Sequence, residues 1–536
     1  MKNRIYIQQW LDFKPYESHT TTDIYYLKLS NEVKEAISTN SQSLVLQAYL
    51  QPQEMNKLAC FLTSYFEDII SETNLWSSFV KNHKELYNKQ LPFYYLEEYI
   101  EDEINLQDVC FLMWYFMNTI QGEKFIAPFN DFIFETAEKV MVLFEKSWDY
   151  APENDYLKKF YQISEDETDF YEARAINDIV LFQSYLFYPD TAQIIKEKEL
   201  EIINNPDVKE NVQMFLNDNR DDTLHKTHTR LLSLTAKEWA ANIIGGNHPL
   251  KKDFLNISNR IRGYFFYKGQ DKKNVFIEHI ASGKKFNLTK KSFDHGDSLE
   301  KIDTILYMGI AQWQTEWWFS GIFFHQPFNA DLILDEKNSI ASRRQVNFLD
   351  NKEDVFDVLE KQYKAFLDYN NGSPIAFLPS EKVDDFVKNY TEYFNASLKL
   401  SSKKYEEANQ RARAEGFIGT EDKSVKYDDV SETALVFFNP KSGVEMILAA
   451  NSAFPLPNNP YFEESESEEH IIRVLMDESV SVELAMYCID NCKSELPFFN
   501  DGVGKSYLDD IDFLLRFWKK DNYHTKPEIT FTGQEK

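Results

Sequence analysis

Glycine and proline are scarce in this chain, 16 and 17 among 536 residues, each about 3% against the roughly 5–7% of an average protein. That shortage excludes long flexible linkers and leaves little material for phosphate-cradling loops or strained nucleophile turns. Cysteine is rarer still. Four residues cannot make a disulfide framework in a chain of this length, so reduced thiols in a cytoplasm-like compartment are expected. Long apolar runs are missing too. The most apolar stretch, Val109–Met117, is nine residues long, where roughly 20 are needed to span a bilayer. The first residues, Met1–Trp10, lack the apolar core and cleavage site of a secretory signal. Basic residues are outnumbered, 58 against 87 acidic, for a formal charge of −29. A protein that coats nucleic acid or anionic membrane over its whole surface is thereby excluded.

What the chain does have is apolar and aromatic mass, 43% and 15% of its residues. A disordered chain would be poorer in both. Residues 1–250 read as a mainly helical domain. Lys57–Ile70 sets Leu58, Phe61, Leu62, Tyr65 and Ile69 at spacings of three and four, and Asp108–Ile120, Asp131–Trp148 and Glu172–Leu186 repeat the period. Thr235 with Glu238 is a capping-box pattern opening a helix that Gly245–Gly246 stops.

Chemistry switches at about residue 258. Five short aromatic or β-branched runs follow: Tyr264–Tyr267, Val275–Ile280, Phe286–Thr289, Ile305–Trp313 and Trp317–Phe324. Tight polar turns separate them, which predicts a small five-stranded barrel over 258–335. Ile305–Ile310 is apolar in both alternation classes, so that strand is expected to be covered on both faces. Residues 345–536 read as a mixed α+β domain. Helices are expected over Lys352–Tyr369, from Ser380 to about Leu398, over Lys403–Glu415, from the acidic run Glu463–Glu469, and near Val482–Cys492 and Tyr507–Lys519. A hairpin is expected from Thr433–Phe438 and Val444–Leu448. The predicted class is thus α+β: helical N-terminal half, central barrel-like module, mixed C-terminal region.

Motifs that announce chemistry are not found. There is no Walker loop, dinucleotide fingerprint, nucleophile elbow or His-Glu-x-x-His helix. Cys488 and Cys492 are one helical turn apart, without two further ligands nearby. His225 and His228, if on one helix, would share a face, but they sit beside Asp221–Asp222 in a run that reads as solvated. His279 lies in a predicted strand near Ser282–Gly283, and Asp294–Asp297 reads as a polar turn. No catalytic, cofactor-binding or metal-ligating residue is assigned, and no cofactor is expected.

The one local anomaly is charge. Between Lys251 and Lys291 eleven basic residues face three acidic ones. Small barrels bind single-stranded nucleic acid by stacking bases on rings while lysines neutralise phosphates. Tyr264, Phe266, Phe276, Phe286, Trp313 and Trp318 would be the platform; a barrel must also fill its own interior, which makes core the first expectation for these rings. The lysines sit at turns, where solvation, or contact with neighbouring acidic domains, explains them. Lys268, Lys272, Lys273, Lys284, Lys285, His279, Trp313 and Trp317 are the candidate partner-binding residues.

Segments Ile5–Tyr16, Ile104–Tyr115, Phe437–Gly443 with Asn451–Pro455, and Tyr507–Trp518 resemble an uncharacterised bacterial family, found mainly in Bacteroidetes and known only as a domain of unknown function. The resemblance implies no activity. Through Gly263, Ser282–Gly283 and Trp318–Gly321 the central module resembles a barrel that sits beside SecA-type zinc knuckles. The clustered cysteines of that knuckle are absent here, so its metal and partner are not implied. The expectation is a soluble cytoplasmic interaction or scaffold protein with a protein partner and no membrane association. The alternatives are a nucleic-acid binder using the basic barrel, and an enzyme whose site is assembled at a domain junction.

Overall fold

The computed structural model describes residues 4–39, 41–94, 99–121, 125–293, 299, 301–347, 352–399, 403, 406–407, 410 and 433–523. They form an α+β protein with a helical N-terminal half, a closed five-stranded barrel and a mixed C-terminal region. Two compact units are distinguished: Met1–Arg260 with Ala311–Ile322, and Ile261–Ile310 with Phe323–Lys536.

In the first unit the helix Pro52–Ser71 starts five residues before the expected Lys57, for physical reasons. Pro52 holds its backbone in helical φ at the first turn, and Gln51 with Glu54 closes a capping box. Leu58, Phe61, Leu62 and Tyr65 are buried as the apolar stripe predicts, yet burial continues around the helix to Glu67 and Asp68. Leu106–Gln121 is buried from Asp108 to Asn118. Each large apolar side chain removed from water there contributes about 1.5–3 kcal/mol. The apolar stretch is therefore core, and among the described residues no helix is long and apolar enough to cross a membrane. The Thr235–Glu238 capping box is present, with the Thr235 N–H donating to Glu238 at 2.8 Å, and Gly245 follows the helix at φ +104°.

The five predicted strands are β1 (Ile261–Gln270), β2 (Asn274–His279), β3 (Lys285–Thr289), β4 (Ile305–Trp313) and β5 (Glu316–Gln326). They close in the order β1-β2-β3-β5-β4. In β1, Ile261, Gly263, Phe265 and Tyr267 are buried, while Arg262, Tyr264, Phe266 and Lys268 are less so, the period-two signature of a strand with one inward face. A bulge between Tyr267 and Gly269 shifts the β1–β2 register. It tightens the bend that a small barrel requires. β4 is buried on both alternation classes, as its composition requires.

The second unit also holds a three-stranded antiparallel sheet, β6 (Ile375–Leu378), β7 (Ala434–Asn439) and β8 (Gly443–Leu448), in that order. Ala434, Val436 and Phe438 pack with Phe366 and Tyr390, from the helices Lys352–Tyr369 and Val383–Ser397. Phe437 of the other alternation class meets Tyr487 at 5.7 Å. β7 is buried at every position. The acidic run opens as a short 3-10 turn, Glu464–Glu466, before the helix Ser467–Met476, and the last helix runs Ile511–Trp518. Most of the expected polar helix Lys403–Glu415 and the turn Asp294–Asp297 lie outside the described residues.

Candidate functional site

The rings proposed as a stacking platform are not laid out for one. Phe286, Trp313 and Trp318 are buried, the two tryptophans to 1% exposure. Tyr264 and Phe266 face out of the barrel but are covered: they pack with Ile280, Ile305, Leu332 and Ile333, the last two from the helix Ala330–Asn338. Interior filling was the expected use of these two rings; they build instead a second small core on the outside of β1. Phe276 and Trp317 are half-buried.

The lysines separate into groups. Lys268 pairs with Asp303 at 2.8 Å and lies over the Phe266 ring at 4.8 Å. Lys285 stands opposite Glu278 in the β2–β3 register. Lys284 follows Ser282 in the β2–β3 turn, its N–H donating to the Ser282 hydroxyl at 3.2 Å. Lys272 and Lys273 occupy the β1–β2 turn, and Lys290 and Lys291 follow β3 beside it. The Lys290 N–H donates to the Lys273 carbonyl at 2.8 Å. These two ends of β2 lie about 20 Å apart at the usual rise of ~3.3 Å per residue.

His279 is fully buried in the barrel, its ring 5.2 Å from Phe265. Nδ1 lies 2.9 Å from the Ser282 hydroxyl and accepts the Ser282 N–H at 3.3 Å, so the ring proton belongs on Nε2. Nε2 has no hydrogen-bond partner among the described residues and faces Gly263, where an added Cβ would stand 3.1 Å away. Base and hydroxyl are therefore in reach of one another, but among the described residues no carboxylate orients the imidazole as a catalytic set requires. Local closure of the β2–β3 turn accounts for the pair.

Burial pushes the His279 imidazole down to about 4, and that of His83 likewise. The ordinary value in an unfolded chain is about 6.5. Between these limits the unfolded chain binds more protons than the folded one, so stability falls as pH drops from 6.5 toward 4. Buried Asp108 opposes them. Desolvation lifts its carboxyl to about 7 despite donors from Tyr65, Asn105, Trp76 and Tyr99, so the stability it contributes is present at low pH and lost as pH rises through 7. Replacing His279 by glutamine is expected to flatten the acid side of the profile by about 1 kcal/mol per pH unit between pH 6 and 5. Urea titrations across that range measure it; an unchanged slope would show that the imidazole is not held neutral.

A denser polar constellation, missed in the sequence, lies in the first unit on the helices Phe170–Gln183 and Val212–Lys226. Asp218, Asp221, Asp222 and His225 share one face of the second helix at spacings i, i+3, i+4 and i+7. That run was expected to be solvated, yet Asp218 and Asp221 are each 3% exposed. Asp221 accepts from Arg174 and, at 2.5 Å, from the Ser320 hydroxyl. Asp218 pairs with the buried Arg260, which also donates to the Ser320 carbonyl at 2.9 Å. Arg220 binds Asp178 and, at 2.7 Å, Glu199. Arginine thus fills the place a metal would take, and no group of three or more His, Cys, Asp or Glu among the described residues is arranged to hold a metal ion. The helix stops at Lys226, and His228 instead bridges to Thr235, so His225 and His228 do not share a helical face. The small pocket beside His225, lined also by Asn177, Thr235 and Lys237, has room for about one water.

A second buried cluster centres on Glu67. Lys14 pairs with one carboxylate oxygen, and Asn154 donates to the other at 2.8 Å. Asn154 also reaches the Tyr16 hydroxyl, which donates to Asp23 at 3.0 Å, as Trp10 does at 2.9 Å. Asp68 accepts from Thr73, Tyr185 and two backbone N–H groups. The sequence signal was present: Trp10, Lys14 and Tyr16 lie in one of the segments that carried the family resemblance. Glu67 and Asn154, 53 and 138 residues from Lys14 and Tyr16, were not legible as their partners.

Residues 4–264 match the family model described as "Protein of unknown function (DUF3843)". No curated protein and no solved structure matches the chain. The matched stretch holds the Glu67 cluster and the Arg–Asp face, and ends at the fourth residue of β1. Over residues 4–264 this chain is similar to the DUF3843 family of proteins of unknown function.

Proposed function

We propose that this chain is an interaction protein whose barrel is its recognition module. One observation carries the reading: the end of the barrel formed by the β1–β2 turn and the residues after β3 sets Lys272, Lys273, Lys290 and Lys291 side by side. Lys272, Lys273 and Lys291 are exposed. A surface of one sign on a chain of net charge −29 is a local reversal of field, the usual footprint of recognition. The buried polar clusters support a different use for the remaining chemistry-bearing residues. Asp221, Asp68 and Glu67 each hold several internal donors, an arrangement that specifies a unique core. Four buried free cysteines fit a reducing, cytoplasm-like compartment.

The test compares what full-length wild type and a Lys272→Glu/Lys273→Glu/Lys290→Glu variant retain from an extract of the native host. Matching circular dichroism and melting profiles would establish that both are folded. At least one bound species is expected to drop about tenfold or more on the variant. Identical retention by both proteins would remove the barrel end from the account.

A further inference from the structure

We infer that the lysine end of the barrel recognises a short acidic polypeptide segment, rich in Asp and Glu; the inference rests on the interaction reading above. Lys273 and Lys290 flank the last paired residues of the β2–β3 ladder, Asn274 and Thr289, and are joined by a backbone hydrogen bond. Like charges facing one another across a ladder destabilise it. None of Lys272, Lys273 or Lys290 has a carboxylate within ion-pairing distance among the described residues. Asp271, in the same turn, offsets part of the charge of Lys290 and Lys273 but is held by backbone donors. Its Oδ1 accepts the N–H groups of Lys273 and Asn274 at 2.7 and 2.6 Å, bonds that hold the turn and keep the carboxyl below its usual range. Among the described residues the barrel thus carries an excess of positive charge at this end, which the single Asp271 carboxylate offsets only in part and an external anion would relieve further.

Its chemistry selects the kind of anion. Of the candidate platform rings Trp313, Trp318 and Phe286 are buried, Tyr264 and Phe266 lie under the helix Ala330–Asn338 and Phe276 is half-buried, so these six do not form an open set of rings for stacking bases. Size points the same way. Two adjoining turns on strands ~4.8 Å apart offer a footprint of about 10–15 Å, filled by four or five extended residues. A long polyanion would continue from it onto the surface of a chain with 87 acidic residues. At physiological salt the field of the cluster reaches only about 8 Å, enough for a short segment and not for a duplex.

Fluorescence anisotropy of labelled hexaglutamate with the full-length chain tests this, beside a hexaserine peptide, a 20-nucleotide single strand and a 20-base-pair duplex. At 50 mM salt the acidic peptide is expected to bind with a Kd of ~100 µM, a few exposed ion pairs' worth. It should weaken severalfold at 300 mM salt. The triple glutamate variant should lose about tenfold or more, while a triple arginine variant retains binding. Equal binding by wild type and the glutamate variant would overturn the site. Tighter, lysine-dependent binding of either oligonucleotide would overturn the acidic-peptide assignment. Absence of peptide binding together with a lysine-dependent partner from the host extract would overturn only the ligand class; absence of both would overturn the interaction reading with it.

Discussion

Replacing Gly321 with alanine is expected to destabilise the first unit by about 3 kcal/mol or more. The glycine has φ +85°, a left-handed backbone that a side chain strains by about 1 kcal/mol or more. Space is the larger problem. A Cβ there would overlap the Arg260 guanidinium and stand 3.2 Å from the Asp218 Cα. Arg260 and Asp218 are both buried, so neither can swing into solvent. Forcing the guanidinium aside leaves the carboxylate without its partner, and breaking a buried pair from one side costs about 3–5 kcal/mol. Chemical denaturation followed by tryptophan fluorescence should show the loss, since Trp318 packs 6.1 Å from Phe170 in the same unit. Gly245 provides the contrast: it has φ +104° with nothing within 4 Å of an added Cβ. Alanine there should lose only the backbone term. Equal effects at the two positions would mean that the Arg260–Asp218 pair tolerates displacement.

Lys14→Met is expected to be nearly as damaging, by about 3–5 kcal/mol, and in a way a second change repairs. The Lys14 and Glu67 side chains are 1% and 0% exposed. Burial already pushes the Glu67 carboxyl up, with Lys14 the main opposing influence. Without the ammonium, Glu67 must remain an unpaired buried anion or take a proton. The lysine also lies 4.1 Å over the Trp10 ring, which methionine preserves as an apolar contact. Lys14→Met combined with Glu67→Gln keeps the Asn154 hydrogen bond and removes both charges. It should recover most of the loss, as replacing buried ion pairs whole often does. A double-mutant cycle read from denaturation midpoints measures the coupling. A double variant as unstable as the lysine variant alone would show that packing, rather than the stranded charge, sets the effect.

Both positions show where sequence reading stops. Gly321 sits in a run, Trp317–Phe324, whose aromatic composition predicted a strand. Nothing local indicates that the middle of that strand meets Asp218, 103 positions earlier. Asp221–Asp222 read as solvated because charged residues in a helix usually are. Arg174, Arg260 and Ser320 reverse that, and none is close to them in sequence. Glu67 and Asp68 follow an apolar stripe and would ordinarily mark its wet edge; the helix is instead surrounded on nearly all sides. The barrel lysines were legible as a group, but not their division between two ends of β2. That division depends on which residues face each other across the turns.

Local regularities were therefore enough for a great deal. Spacings of three and four marked the helices, aromatic and β-branched runs between tight turns marked all five barrel strands, and the Thr235–Glu238 pair marked a helix start, because each arises from interactions among residues a few positions apart. Composition likewise fixed the acidity and the thiol count. Only the folded chain decided which charges are buried and with whom, which rings are covered, and which lysines stand together. Those outcomes depend on contacts between residues tens to hundreds of positions apart, and on the desolvation that such contacts impose.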